Sequence, residues 1–529
     1  MILNPKLLKA NLYRIVAGLT LLALTGFICI LLPYGYGDGN QGEIIPIHNR
    51  LEDPNYLKND KFVNQQMEYN VRSNFAYVMY AANHITPKPI GYPEIYFGFF
   101  FITTFLTFLG ILKISQVLVR DKWLALSVTI IYSMLPNISI GGVSLITSHL
   151  LPSSFAVVLI IWGLYFFLTE RHYKMVIFLA LSLYMHVLVG LLASAVILFA
   201  YLVVNYKKHL LDVVKTSFLW LLITFPALLP QFLNASESFG GDSKQLAYII
   251  GFFRNPHHYI PSTWDLHATV VFFIIEVLSV VLLCFFFREK RREIFNKLAL
   301  IFVALNIMYF CGYFFVEVIT LTPFVKLQLF RISVMTDLLS KLIIIVSSVI
   351  MIKKMLNRAN LSMKKRKYTL TIVIFAISAI STGIKVPSLN SHINVYPVTA
   401  SSNRAAYQWV AENTSPDDVF LAPIGERNIR LQMNRAVAAN FKQFVFKDNQ
   451  VIEWYEEIKD FCGMEEPNCR GWACAEYCDS KFSAYSEEQL LTLGKKYHAE
   501  YLITTNPNIH KFDLVYKDTK YSIYKLNYE

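Results

Sequence analysis

A succession of long apolar runs most limits what this chain can fold into. They lie at about 12–33, 92–112, 123–142, 151–168, 175–187, 188–205, 216–233, 268–287, 298–318, 333–352 and 369–385. A helix needs about 20 consecutive apolar residues to cross a bilayer core, and lipid offers an unpaired backbone amide no partner. The pattern therefore predicts a polytopic α-helical membrane protein with about 11 transmembrane helices. Composition agrees: 55% of residues are hydrophobic and only 16% are Asp, Glu, Lys or Arg, whereas a soluble domain carries roughly a quarter charged residues. The first run follows Lys6, Lys9 and Arg14, and no small-residue cleavage site precedes Pro33. It reads as an uncleaved anchor in preference to a signal peptide.

The net charge of +12 is explained by topology and not by a nucleic-acid partner. Basic residues collect in alternate short loops, such as Lys113, Arg120 and Lys122, then Arg288 to Lys297, then Lys353 to Lys367. Loops of this kind face the cytoplasm. The run 175–205 is taken as two helices meeting near His186 and Gly190, because a single helix would send the later basic loops outward. The N-terminus is then cytoplasmic. A transmembrane bundle occupies 1–385, including a large outer loop at 34–91, and 386–529 forms an extracytoplasmic domain. In that tail AAYQWVAEN and EEQLLTLGKKYH read as helices, DDVFLAP and AEYLITTN as strands, and DLVYKD with YSIYKLN as a hairpin, giving a soluble α/β domain. Cys462, Cys469, Cys474 and Cys478 cluster there without the paired C-x2-C knuckles of a zinc site, so two disulfides are expected, with connectivity open.

Three groups of residues could carry chemistry. Asp38, Glu43 and Asp60 lie in the acidic first outer loop, where a carboxylate can serve as general base or bind a divalent cation. The segment FFRNPHHYIPSTWDLH brings Arg254, His257 and His258 together at the outer face. Adjacent histidines make a poor chelate, whereas guanidinium bonds phosphate oxygens in pairs. In TPFVKLQLFRISVMTDLLSK, Gln328 and Arg331 open a span, and Asp337 and Lys341 inside it have the spacing of a helical ion pair. Arg331 has no such local partner and is expected to bind an anion. No phosphate-binding glycine loop, nucleophile elbow or H-E-x-x-H motif is present, which disfavours ATP-driven transport and zinc proteolysis.

The layout resembles the GT-C superfamily of membrane glycosyltransferases: a first span, a long acidic outer loop, a bundle with short basic loops, and a soluble outer domain. NQGEIIPIHNRLEDPNYLKNDKFV, RNPHHYIPSTW and LQLFR are similar to segments of bacterial GT-C-like proteins. The resemblance implies a GT-C-like fold and transfer of a sugar from a polyprenyl-phosphate-linked donor. The acceptor is a glycan, lipid or protein, and a first-loop carboxylate is the base. Asp38, Glu43 and Asp60 are the positions that could match. The chain departs from the superfamily in lacking an Asp-Glu pair and the WWDYG signature, and in having no acid in the loop at about 143–150. The base and any use of a divalent cation therefore stay open, and no other cofactor is implied. Two rival readings are a flippase or transporter of a lipid-linked glycan, and an envelope assembly protein without catalysis.

Overall fold

A computed structural model describes residues 5–358, 395 and 404–528, apart from 138, 208, 237–242, 466–467, 507–508 and 510. Among the described residues, seven helices are long and apolar enough to cross a membrane. Five fall within α1 (Pro5–Leu31), α5 (Tyr92–Val119), α9 (Val187–Asn205), α10 (Leu210–Ser236) and α13 (Leu266–Phe287); the other two contain α14 (Arg292–Gly312), running on to Val318, and α16 (Ser333–Arg358), starting at Thr322. This corrects the expected count of about 11. Three of the apolar runs form shorter helices, α6 (Lys122–Met134), α7 (Pro152–Leu168) and α8 (His172–Met185). At about 1.5 Å per residue these span only roughly 20–25 Å, short of the 30 Å hydrocarbon core. The run at 369–385 lies outside the described residues.

Local chemistry sets the helix ends. Arg120 closes α5 in the left-handed conformation (φ 56°), and Asp121 caps α6 by accepting from the amides of Trp123 and Leu124. The apolar stretch 175–205 is two helices, broken at His186, whose Nδ1 accepts from the Val189 amide. A Cβ on Gly190 would lie 2.6 Å from the Leu183 backbone, so glycine lets α9 fold back tightly on α8. Within the bundle, Asp337 and Lys341 form the expected ion pair at 2.6 Å.

Short elements cover one end of the bundle. The loop at 34–91 folds as α2 (Gln41–Glu52), α3 (Lys61–Gln66) and α4 (Ser73–Ile85). A later group comprises α11 (Ser243–Ala247), a π-helical turn at Tyr248–Arg254, α12 (Pro256–Tyr259) and α15 (Thr322–Leu327). Against these sits the tail, a five-stranded sheet of β1 (Val419–Leu421), β2 (Ala436–Val437), β3 (Tyr501–Thr504), β4 (Asp513–Lys517) and β5 (Ser522–Lys525). Its order is β2-β1-β3-β5-β4, parallel through the first three and antiparallel through the last three. The two helices and the strands expected in the tail are present. The two-residue β2 and the helices at Asp448–Cys462 and Trp472–Phe482 join them. The cysteines pair as Cys462–Cys478 and Cys469–Cys474.

The tail shares its core with these loops: Phe62 and Val63 of α3, and Phe253, Tyr259 and Val325, pack with Phe441, Trp454 and Ile458. A buried ion pair pins this contact. Asp60, 0% exposed, caps α3 through the Val63 amide at 3.0 Å, accepts from the Val437 amide at 3.1 Å, and pairs with Arg430. Arg430→Met would leave that carboxylate without a countercharge, which costs about 3–5 kcal/mol. The expected outcome is a lower unfolding temperature in detergent, largely restored in Asp60→Asn/Arg430→Met, where the neutral side chain still accepts from the amides; equal melting of the single variant and the native protein would contradict this.

Candidate functional site

The site begins where the chain leaves α1. Gly37 (φ 79°) and Gly39 (φ 54°) flank Asp38 in a tight turn. A Cβ on Gly39 would lie 2.7 Å from Nε2 of His149, which fixes glycine there. Gln41 braces the turn: its Oε1 accepts from the Gly37 amide at 2.7 Å, and its Nε2 donates to the Leu150 carbonyl at 2.9 Å. Asp38 is exposed and lines a cavity of about 660 Å³ between this turn and the tail, with Tyr36, Arg427, Asn428, Gln432 and Trp472.

Beside this turn lies a largely buried group of cations, with Arg254 buried and Arg72, Arg331 and Lys442 partly so. Arg72, just before α4, pairs with Glu43 of α2 and packs 4.6 Å from the Phe446 ring. Burial, then the charges of Arg254 and Arg331, pull Arg72 down to about 9. Arg254 ends the π-helical turn and is 4% exposed. It donates to the Lys442 carbonyl at 2.5 Å and to Oδ1 of Asn255 at 2.9 Å, and the rings of Phe441, Phe444, Trp454 and Trp472 surround its guanidinium. Arg331 sits in the 3-10 turn Leu329–Ile332, after Gln328 in the left-handed conformation (φ 50°). Among the described residues it has no ion-pair partner, and its Nε and Oε1 of Gln328 are buried without a hydrogen bond. Lys442 donates to Oδ1 of Asn40 and lies 3.9 Å from Glu43. Its amine is pushed down to about 7, first by burial and then by Arg254, Arg72 and Arg427, with Asp38 opposing.

The two histidines belong to the same cluster. Their rings are 4.0 Å apart, and Nδ1 of His258 is 2.6 Å from the Gly141 carbonyl, to which it donates. Burial, followed by neighbouring positive charge, holds His257 near 4 and His258 well below the ordinary histidine range. Both are neutral near pH 7, so they offer N–H groups and not charge. The Tyr259 hydroxyl faces Arg331 and Arg254 and bonds Gln328.

Of the residues singled out from sequence, Arg254, His257, His258, Gln328 and Arg331 thus converge, and Glu43 joins them through Arg72. Asp38 stands at the rim, within electrostatic reach of His149 and Lys442. Asp60 is elsewhere, committed to Arg430 and two amides. These three carboxylates therefore have separate surroundings and form no metal-ligand group among the described residues. Cys462, Cys474 and Cys478 do bring three sulfurs within 4.8 Å of one another, a grouping that could hold a metal ion as thiolates, although they are paired as disulfides here. Sequence reasoning missed Arg72 and Lys442, which lie in NVRSN and NFKQF with no motif around them.

Comparison with known proteins places this geometry in context. Residues 401–461 match the model of a family described as a domain of unknown function, DUF6798. No curated protein matches the sequence. Among solved structures, the chain is similar to the archaeal oligosaccharyltransferase AglB from Archaeoglobus fulgidus, solved in complex with an inhibitory peptide and a dolichol-phosphate. The TM-score is 0.51 at 12% identity, covering 92% of this chain and 69% of that one. The likeness is one of fold alone.

Lys442 supplies a direct check on the buried cation cluster. Its acylation by an amine-directed reagent, followed by mass spectrometry across pH, is expected to reach half its maximum near pH 7. A midpoint near 10, where free lysines titrate, would show that the amine is not held among the arginines.

Proposed function

We propose that the chain is a membrane glycosyltransferase that moves a sugar from a polyprenyl-phosphate-linked donor to an acceptor at the outer membrane face. One observation carries this reading. Arg72, Arg254, Arg331 and Lys442 are gathered around one region with Glu43 as their nearest buried carboxylate. Positive charge without matching negative charge is costly to bury, and a phosphate or pyrophosphate oxyanion is the ligand that would balance it. The fold it shares with an oligosaccharyltransferase is in keeping with such a donor.

In this mechanism Asp38 is the base. Its carboxylate takes the proton of an acceptor hydroxyl held in the 660 Å³ cavity; the acceptor oxygen bonds the anomeric carbon while the bond to the phosphate oxygen breaks. The departing phosphate gains negative charge, which the arginines and Lys442 stabilise in place, with His257 and His258 as neutral donors. Attack from the face opposite the leaving group inverts the anomeric centre. Glu43 orients Arg72, and Asp60 acts only in docking the tail. The proposed topology puts the N-terminus in the cytoplasm, and both the loop at 34–91 and the domain at 386–529 outside. The transmembrane bundle then occupies 1–385, with the polyprenyl chain lying among its spans.

Asp38→Asn is expected to abolish transfer of radiolabelled sugar in proteoliposomes while leaving polyprenyl-phosphate binding intact. Movement of the headgroup without new glycosidic bonds in the native protein would instead favour a flippase. Arg331→Ala should slow turnover by about 10²–10³-fold, the scale of a lost oxyanion donor; native turnover in a folded variant would remove Arg331 from the mechanism. Affinity for a polyprenyl phosphate should also fall as pH rises through about 7, because the free Lys442 amine loses its proton there. Lys442→Met should flatten that dependence.

A further inference from the structure

The opposite membrane face carries a second basic feature. The distal ends of α5 and α7 and the start of α14 enclose a recess of about 400 Å³. Three arginines stand on its wall: Arg120, Arg291 and Arg292. Nη1 of Arg291 donates to the carbonyls of Val117, at 3.2 Å, and Leu118, so it closes the C-terminal end of α5 and is fixed in place. Arg120, which follows in the left-handed conformation, is near enough to lower the Arg291 guanidinium, after burial itself. Arg292 opens α14, whose first-turn amides border the same space.

The acids on this wall are already engaged. Lys297, 1% exposed, pairs with Glu170 at 3.4 Å and with Glu293. Arg120 and Arg292 make no ion pair among the described residues, and both are exposed. With Lys297 counted, the recess keeps a surplus of two positive charges. Its floor is apolar, formed by Val117, Leu168 and Ile294 at the ends of their helices.

We propose that this recess binds the phosphate headgroup of an anionic phospholipid, with Arg120 and Arg292 contacting the phosphate oxygens and Arg291 holding the wall between them. Guanidinium pairs suit the oxygens of a phosphate diester. Free phosphate shares that chemistry, but only a lipid would also use the apolar floor at the level of the bilayer. In the proposed topology this face looks onto the cytoplasmic leaflet, where anionic lipids concentrate. The binding itself is independent of any chemistry at the other face.

The test uses the full chain in nanodiscs of phosphatidylcholine alone, or with about 20 mol% phosphatidylglycerol. Phosphatidylglycerol is expected to raise the unfolding temperature by about 5 °C. Arg120→Gln/Arg292→Gln should abolish the shift, whereas Arg288→Gln/Lys290→Gln, at basic positions outside the recess, should keep it. Because Arg120 and Arg292 are exposed, their replacement leaves the core untouched. No shift with phosphatidylglycerol, or a shift that survives in the first double variant, would overturn the proposal. So would an equal shift from about 10 mM inorganic phosphate in phosphatidylcholine discs, which would assign the site to a soluble anion.

Discussion

The end of the bundle that the tail covers is organised around a charge imbalance. Arg72, Arg254, Arg331 and Lys442 are drawn together with Glu43 between two of them. Like charges in a low-dielectric setting repel strongly, so such a group persists only where the surroundings hold it. Here the Lys442 carbonyl, the Asn255 amide and four aromatic faces fix Arg254, while Glu43 fixes Arg72. Arg331 sits in its backbone turn beside Tyr259, with no ion-pair partner among the described residues and its Nε unpartnered. The arrangement resembles a preorganised oxyanion receptor more than a structural salt-bridge network, in which carboxylates would match the cations.

The tail is part of that group of cations. It supplies Lys442, Phe441, Phe444 and Trp472, and its Asp448 neutralises Lys326 at 2.6 Å. The Cys469–Cys474 link shapes the short loop that carries Trp472, and the Gly471 amide in that loop donates to the Phe253 carbonyl at 2.6 Å. The cysteines therefore do more than tie the tail together: they place an aromatic wall beside Arg254.

Much of the fold was legible because its signals are periodic and local. Apolar runs gave the membrane helices, and the break at His186 was visible as a histidine and a glycine inside 175–205. Span number was less legible. Length decides whether a helix crosses, and the extended Leu135 before Pro136 or the turn at His186 cuts α6 and α8 short without changing their hydropathy. At the site, charge inside or next to apolar sequence was informative, so Arg254 and Arg331 stood out. Arg72 and Lys442 did not, since each lies in ordinary polar sequence and becomes buried only when distant segments meet. Asp60 shows the converse. It reads like its acidic neighbours, and only the position of Arg430, far along the chain, distinguishes a strut from a base.

The core shared by the loop helices and the tail has a consequence for biosynthesis. Arg72, Arg254 and Arg331 are all made and positioned before Phe441, Lys442 and Trp472 leave the ribosome. During that interval the arginines have neither their aromatic enclosure nor the carbonyl that receives Arg254. That half-built end therefore stays open to water, which solvates these cations until the tail docks. A chain cut short before residue 442 would lack both the Lys442 carbonyl that receives Arg254 and the aromatic rings that enclose it.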